Sequence, residues 1–595
     1  MRLKDLGFSK LSLLFVILSV WSAFLINRQW ETKNVIAWDM NSYYIYLPAL
    51  CTYHDLTFHY INNNLPDEVL RSSWTMTTED GKHKVSKTAC GVAIMLGPFY
   101  WAAARWSNIC NRPPNGYTTI FAFFVCLAIF VYLLIGLLYL HKILSHFFDD
   151  RTVGITLLAI GLGTNLFYYS TDSFNVPHIF CFCLYNLFIW KSIQWHQKPS
   201  KKNSIIIGLL LGLMTLVRPN DIIVFIFPLL YGIYNKKTLL EKIKLLKNNW
   251  INILLAILFF IVGIMPQLII WKYQTGSLFC YSYGDEHFYF SHPHLLKGLF
   301  GFRKGLFIYT PVLLLIIPGF IYAWKKYQNF ALASVAFFLI NIFIIFSWWS
   351  WWYGGSFGLR AMIGCYPLLA LPLGCCVQEL MRKNWFKKSI IIIFISLCIV
   401  LNQFQTLQAD SNLLHYSEMT FQSYKLIFGR LTYPEGWEDS LEPNDNNMAQ
   451  LGLPERDFYK TFYFLKHKRE NLVALKASNG MFVSVDSIKK GKLFAESSQV
   501  GPMETFKMRI EEFDNCKIQS SNNKYVSFEN LESGRLIADR DKAGDWENFV
   551  VVNMPNNKFA IRNRKYIKSN PKNDNVLEAT SDTITDKELF EIIPR

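Results

Sequence analysis

Charge is scarce in most of this chain, and where it is scarce the hydrophobic runs are long. Only 17% of the 595 residues are Asp, Glu, Lys or Arg against 52% hydrophobic, a balance that excludes an ordinary soluble protein. The apolar excess falls almost wholly within residues 1–405. A removable leader is not expected either: Leu11–Ile26 follows Arg2, Lys4 and Lys10, yet no small-residue cleavage site comes after it and many more apolar runs do. It reads as a retained first span with its amino terminus in the cytoplasm. The twelve cysteines lack any metal-ligand spacing, and Cys181, Cys183, Cys375 and Cys376 lie inside apolar runs as small filler. Cys516, alone in the carboxy-terminal region, excludes a disulfide scaffold there, while a bridge among Cys51, Cys90, Cys110 and Cys280 stays open for loops facing an oxidising compartment. The net charge of +16 does not call for nucleic acid, because the surplus sits in short loops between apolar runs.

What is there is a series of runs: Leu11–Ile26, Thr118–Leu140, Val153–Tyr168, Val176–Trp190, Ser204–Val217, Ile222–Tyr234, Ile251–Ile270, Leu306–Trp324, Phe330–Phe346, Ala361–Val377 and Ile390–Phe404. The basic loops Pro199–Asn203, Asn235–Asn249, Trp324–Gln328 and Met381–Lys388 should be cytoplasmic. Counting back from them, the long loop 28–116 is external only if the short run Ala89–Ala104 lies along the membrane or re-enters. The expectation is about 11 spans in the cell's inner (plasma) membrane, amino terminus inside and carboxy terminus outside. Ser204–Val217 and Ile222–Tyr234 are short for a hydrocarbon core of roughly 30 Å and meet at Arg218-Pro219-Asn220-Asp221, a turn at or below the outer surface.

This topology brings lone ionisable groups to one side. Asp39 lies in Ala37-Trp38-Asp39-Met40-Asn41-Ser42-Tyr43-Tyr44, among aromatics that straddle lipid and water, where a carboxylate is costly unless it is used or caps a helix. The loop 271–305 offers Tyr283, Asp285, Glu286, His292, His294, Arg303 and Lys304, an aromatic and polar mixture suited to a sugar or headgroup. Ser347–Arg360 is the densest aromatic block and contains Trp352 and Tyr353; it reads as an interfacial belt, with Arg360 behind a glycine-rich turn. Arg218, Arg303 and Arg360 together would suit a lipid-linked phosphate, and His178, at the outer end of a span, could move a proton or hold that phosphate.

An Asp soon after the first span, Gly163-Thr164-Asn165 before Tyr168-Tyr169, the Arg218-Pro219 turn and Trp351-Trp352-Tyr353-Gly354-Gly355-Ser356-Phe357-Gly358-Leu359-Arg360 together resemble the GT-C superfamily of integral-membrane glycosyltransferases. The likeness covers about residues 1–430 and is to the bacterial branch, similar to protein mannosyltransferases and lipid A aminoarabinose transferases. It implies inverting transfer of a sugar from a polyprenyl-phosphate donor to a glycan, lipid or protein acceptor at the external, periplasmic face, with Asp39 as general base. Some members also hold a divalent metal through an acidic pair in that loop; nothing acidic stands two positions after Asp39, so no metal ligand is assigned.

Beyond the last run, 406–468 is polar with Pro434, Pro443 and Pro454, and reads as a linker or docking segment. A threefold repeat follows in 469–595. Phe482, Tyr525 and Tyr566; Ala495, Ala538 and Ala579; Glu504, Glu547 and Glu588; and Phe506, Phe549 and Phe590 all recur at spacings of 43 and 41. Short apolar strands with Asn/Gly/Ser turns in three such units resemble a β-trefoil of the fascin-like type, whose members bind proteins or glycans. The fold class expected is a polytopic α-helical membrane protein followed by an all-β trefoil. Two other functions fit less of the chain: a transporter or flippase of a lipid-linked substrate, which calls for pseudo-symmetric halves that are not seen, and a membrane-anchored glycan-binding protein.

Overall fold

Apolar runs that cannot hydrogen-bond to lipid satisfy their backbone as helices, and the runs of this sequence do so. The computed structural model describes residues 7–33, 35–61, 73–77, 83–174, 176–284, 286–442, 446–450, 471–486, 491–510, 515–528, 533–554 and 558–595, in two compact units, 1–433 and 434–595. The first unit contains α1 (Phe8–Asn27), α2 (Trp38–Tyr44), α3 (Gly91–Ile109), α4 (Thr119–Phe147), α5 (Asp150–Leu162), α6 (His178–Gln197), α7 (Lys201–Val217), α8 (Ile226–Leu230), α9 (Lys236–Asn248), α10 (Trp250–Thr275), α11 (Ile316–Lys326), α12 (Gln328–Ser347), α13 (Tyr366–Met381) and α14 (Trp385–Asp410). Among the described residues, six stretches are long and apolar enough to cross a membrane: Phe8–Thr32, Thr119–Phe147, Trp250–Thr275, Gln328–Ser347, Arg360–Met381 and Trp385–Asp410. The chain is thus largely helical and consistent with a multi-pass membrane protein. The run Ala89–Ala104 lies within α3, which carries Pro98 inside it. All twelve cysteines are free.

Contacts between helix ends sort the loops into two sets. Ser9 Oγ donates to Asp150 at 2.6 Å, joining the starts of α1 and α5, and Gln197 Nε2 meets His146 Nε2 at 3.2 Å, joining the ends of α6 and α4. The Gly232 N–H donates to Asn329 O at 2.7 Å, and Lys326 pairs with Glu379 at 2.5 Å. The basic loops between these helices therefore share one end of the bundle. Helices α7 and α10 run parallel, since Gly208 faces Ala256 and Gly212 faces Gly263; a Cβ on Gly208 would fall 2.2 Å from Ala256 O, so only glycine permits this approach. Helix α13 is enclosed along its length, while α10 is bare over most of its surface.

In the first unit β1 (Thr75–Thr77) pairs with β2 (Lys84–Ser86); in the second, the described residues from 471 onward are all-β, and their strands close. β3 (Leu472–Lys476) pairs with β6 (Thr505–Ile510), β6 with β7 (Asn515–Ser520), β7 with β10 (Phe549–Met554), β10 with β11 (Lys558–Arg562), β11 with β14 (Leu589–Pro594), and β14 with β3, all antiparallel. Three hairpins accompany this ring in a β-trefoil-like arrangement: β4 (Phe482–Asp486) with β5 (Lys492–Ser497), β8 (Tyr525–Phe528) with β9 (Leu536–Arg540), and β12 (Tyr566–Asn570) with β13 (Val576–Ser581). The repeated anchors explain themselves. Each hairpin has its register shift at Phe482, Tyr525 or Tyr566, and the next residue pairs with Ala495, Ala538 or Ala579. The backbone N–H of each alanine donates to the neighbouring unit, at Asn575, Gly491 or Gly534, and at the two glycines an added Cβ would fall 2.8 Å from the alanine carbonyl. Glu504, Glu547 and Glu588 accept the N–H groups of Gly501, Gly544 and Thr585 at 2.8, 2.7 and 2.8 Å, and Phe506, Phe549 and Phe590 fill the core. Residues 443–445 and 451–468 of the expected linker lie outside the described residues.

Candidate functional site

At the end of the bundle opposite the basic loops, a short helix carries a carboxylate to an arginine. Asp39 is in the first turn of α2, and Trp38 before it takes φ +52, a conformation rare for a bulky residue and a local strain beside the carboxylate. Asp39 Oδ2 and Arg360 Nη2 are 2.8 Å apart, although the residues belong to the first loop and to the mouth of α13. Arg360 Nε is buried with no partner among the described residues, so the guanidinium keeps a donor in reserve.

The turn before Arg360 is held from three sides. Asn165 Nδ2 donates to Phe357 O at 3.0 Å, the Phe357 N–H donates to Tyr169 Oη at 2.9 Å, and Tyr366 Oη donates to Asn165 Oδ1 at 2.5 Å. Gly358 takes φ +57, with Tyr309 Cβ 3.0 Å from where its own Cβ would stand. Lys304, buried, donates to the carbonyls of Ser356 and Tyr416. Burial, then the charges of Arg360 and Arg303, hold its ammonium well below the usual lysine range.

Arg218 lies against the same turn. Its Nη1 donates to Ala361 O at 3.1 Å and stands 3.8 Å from Asp221, and its guanidinium is 5.9 Å from the Tyr353 ring. The Arg303 guanidinium is 5.9 Å from the Trp352 ring, and Trp352 is itself wedged between Trp349 and Trp351. Tyr43 is buried within the fields of Tyr283, Asp39 and Arg218, and its hydroxyl is raised well above 10 by burial and by the first two. His178 is buried, its ring 6.2 Å from that of Tyr169, with Nδ1 unpartnered among the described residues and the charges of Arg218 and Arg360 reaching it.

Asp39, Tyr43, His178, Arg218, Arg303, Trp352, Tyr353 and Arg360 thus gather at one end of the bundle. Tyr283 and Glu286 join them as wall rather than as free contacts: Glu286 forms an ion pair with Lys87, whose ammonium lies 5.5 Å over the Tyr283 ring. Asp285 is outside the described residues. Reasoning from sequence named Lys304 only among the residues of its loop and gave Asp221 and Tyr169 no part in this site; the signals were the adjacent Arg303-Lys304, the acid three residues after Arg218, and an Asn and a Tyr four apart. A divalent metal fits poorly. Asp39 faces a guanidinium, Asp221 faces another, and no group of three His, Cys, Asp or Glu side chains assembles among the described residues.

No family model matches the chain, and no curated protein does. Among solved structures it is similar to a designed threefold-symmetric protein, ThreeFoil, at 13% identity over 20% of this chain and 97% of the other, with a TM-score of 0.19. It is also similar to a ricin B-like lectin of Macrolepiota procera solved with lactose, at 10% identity over 21% and 95% of the two chains, with a TM-score of 0.19.

Proposed function

We propose that the chain is a GT-C-type glycosyltransferase of about 11 spans that transfers a sugar from a polyprenyl-phosphate donor to a glycan, lipid or protein acceptor on the external, periplasmic side of the inner membrane. The observation that carries this reading is the Asp39–Arg360 pair at 2.8 Å, with Arg218 and Arg303 at the same end of the bundle. A hydroxyl attacking an anomeric carbon needs a base within hydrogen-bond reach, and the departing phosphate needs positive charge. Both are present without a metal. In the free protein Arg360 neutralises Asp39; an arriving phosphate competes for that guanidinium and leaves the carboxylate free to accept the acceptor's proton. Donor binding thereby switches on the base. Arg218 and His178 Nδ1, unpartnered among the described residues, extend the anion-holding surface, and Trp352 and Tyr353 supply ring faces for the sugar. The proton passes from the acceptor hydroxyl to Asp39 as the new glycosidic bond forms, and the polyprenyl phosphate leaves with the old bond's electron pair.

The β-trefoil-like unit supports a role in holding acceptor glycan, as does its likeness in repeat pattern to fascin-like domains. The test is glycan and glycoprotein mass spectrometry of cells lacking the gene, complemented with wild type or Asp39→Asn. A sugar residue that disappears and returns only with wild type supports the reading; its return with Asp39→Asn overturns it.

A further inference from the structure

The basic end of the bundle carries a surface that the transfer reaction does not use. Helix α9 is thirteen residues long, KKTLLEKIKLLKN, and starts at a capping box in which Asn235 Oδ1 accepts the Thr238 N–H at 2.9 Å. Its inner face is pinned: Thr238 and Lys242 are buried, and Lys242 Nζ donates to Pro228 O at 2.6 Å and Tyr231 O at 3.1 Å. Its outer face is apolar and uncovered, with Leu239, Leu240 and Ile243 exposed by 42, 58 and 40%. At 100° per residue these three share a stripe with Leu246, and Lys236, Lys244 and Lys247 sit within or beside it.

Continuity with α10 says what covers this face. One residue, Asn249, separates α9 from Trp250, the start of a 26-residue apolar helix that is bare over most of its surface and can cross a membrane. The beginning of α10 therefore stands where hydrocarbon meets water, and α9, pinned there by Lys242, is held at the same depth. Exposed leucines in such a place enter the acyl boundary, while lysines flanking them reach phosphates. Because α7 runs parallel to α10, Lys201 and Lys202 at its start lie at the same end and add to the charge.

The geometry points to α9 as an in-plane helix that docks on a leaflet rich in anionic phospholipid, through Leu239, Leu240 and Ile243 in the acyl boundary and Lys236, Lys244 and Lys247 on the headgroups. It depends on the multi-pass membrane reading and is independent of the transferase chemistry.

The test uses the full chain in nanodiscs of phosphatidylcholine alone or of phosphatidylcholine with one-quarter phosphatidylglycerol, following amide hydrogen exchange of residues 236–248. Exchange is expected to slow by about tenfold with the anionic lipid, and that dependence is expected to vanish in the combined Lys236→Gln, Lys244→Gln, Lys247→Gln variant. Unchanged exchange across α7 and α10 verifies that the variant is folded; should it not be, Leu240→Glu alone is expected to abolish the same protection. Equal exchange of the wild-type helix in both lipids overturns the proposal, as does an anionic-lipid effect that survives loss of all three lysines.

Discussion

Replacing Asp39 with Asn separates the two duties that the proposed chemistry gives this carboxylate. It stands 2.8 Å from the Arg360 guanidinium with 21% of its side chain exposed, against 13% for the arginine, so the pair is partly but not fully solvated. Coulomb's law at that distance gives about 1.5 kcal/mol in bulk water and about 6 kcal/mol at an effective dielectric of about 20. The residual solvation and the entropy of holding two side chains favour the lower figure, which corresponds to about tenfold in an equilibrium constant. Asp39→Asn therefore releases Arg360 for an anionic headgroup, and donor affinity is expected to rise by up to about tenfold. Transfer is expected to fall by about 10²- to 10⁴-fold for loss of the base. Equilibrium binding of a radiolabelled polyprenyl-phosphate sugar, with single-turnover transfer on the same sample, measures both. Undiminished transfer refutes the base assignment, and a donor affinity that falls refutes competition for Arg360.

Tyr169→Phe removes the oxygen that accepts the Phe357 N–H at 2.9 Å; a loss of about 1–3 kcal/mol in thermal unfolding is expected, with kcat falling more than KM changes, because the turn that aims Arg360 is loosened. Burial, with the charge of Asp410, pushes the Asp172 carboxyl up to about 6. The folded chain thus keeps a proton that the unfolded chain has lost between about pH 4 and this value, so stability declines as pH rises through that window. Asp172→Asn is expected to leave Tm unchanged near pH 4 and to raise it at pH 8, read by scanning fluorimetry. Burial opposes ionisation of Glu588, but the Thr585 N–H at 2.8 Å and Oγ1 at 2.5 Å outweigh it and hold the carboxyl below 4.5. That bond stabilises the β unit at higher pH and is lost as pH falls through the lowered value, so Glu588→Gln is expected to flatten the acid side of the unit's unfolding, followed by hydrogen exchange in β14.

Local pattern made much of this legible. The apolar runs became helices, and the four sets of repeated anchors each proved to have one job: a register shift, a tight approach, a cap, a core ring. Loop charge sorted the ends of the bundle, because lysines and arginines collect in the same loops that the helix-end contacts bring together. Pairing across the chain was not legible. Nothing near Asp39 names Arg360 as its partner, and nothing near Glu286 names Lys87, which pairs with it from a distant segment. Lys304 was equally opaque, since its partners are backbone carbonyls of Ser356 and Tyr416, which leave no trace in residue type.

The meeting of Asp39 with Arg360 spans more than half of the polypeptide, from the first hydrophilic segment to the threshold of α13. A nascent chain halted anywhere between them holds Asp39 without the arginine that faces it in the folded chain. The ion pair therefore exists only once α13 has been made, and two halves of the chain expressed separately would have to meet to rebuild it.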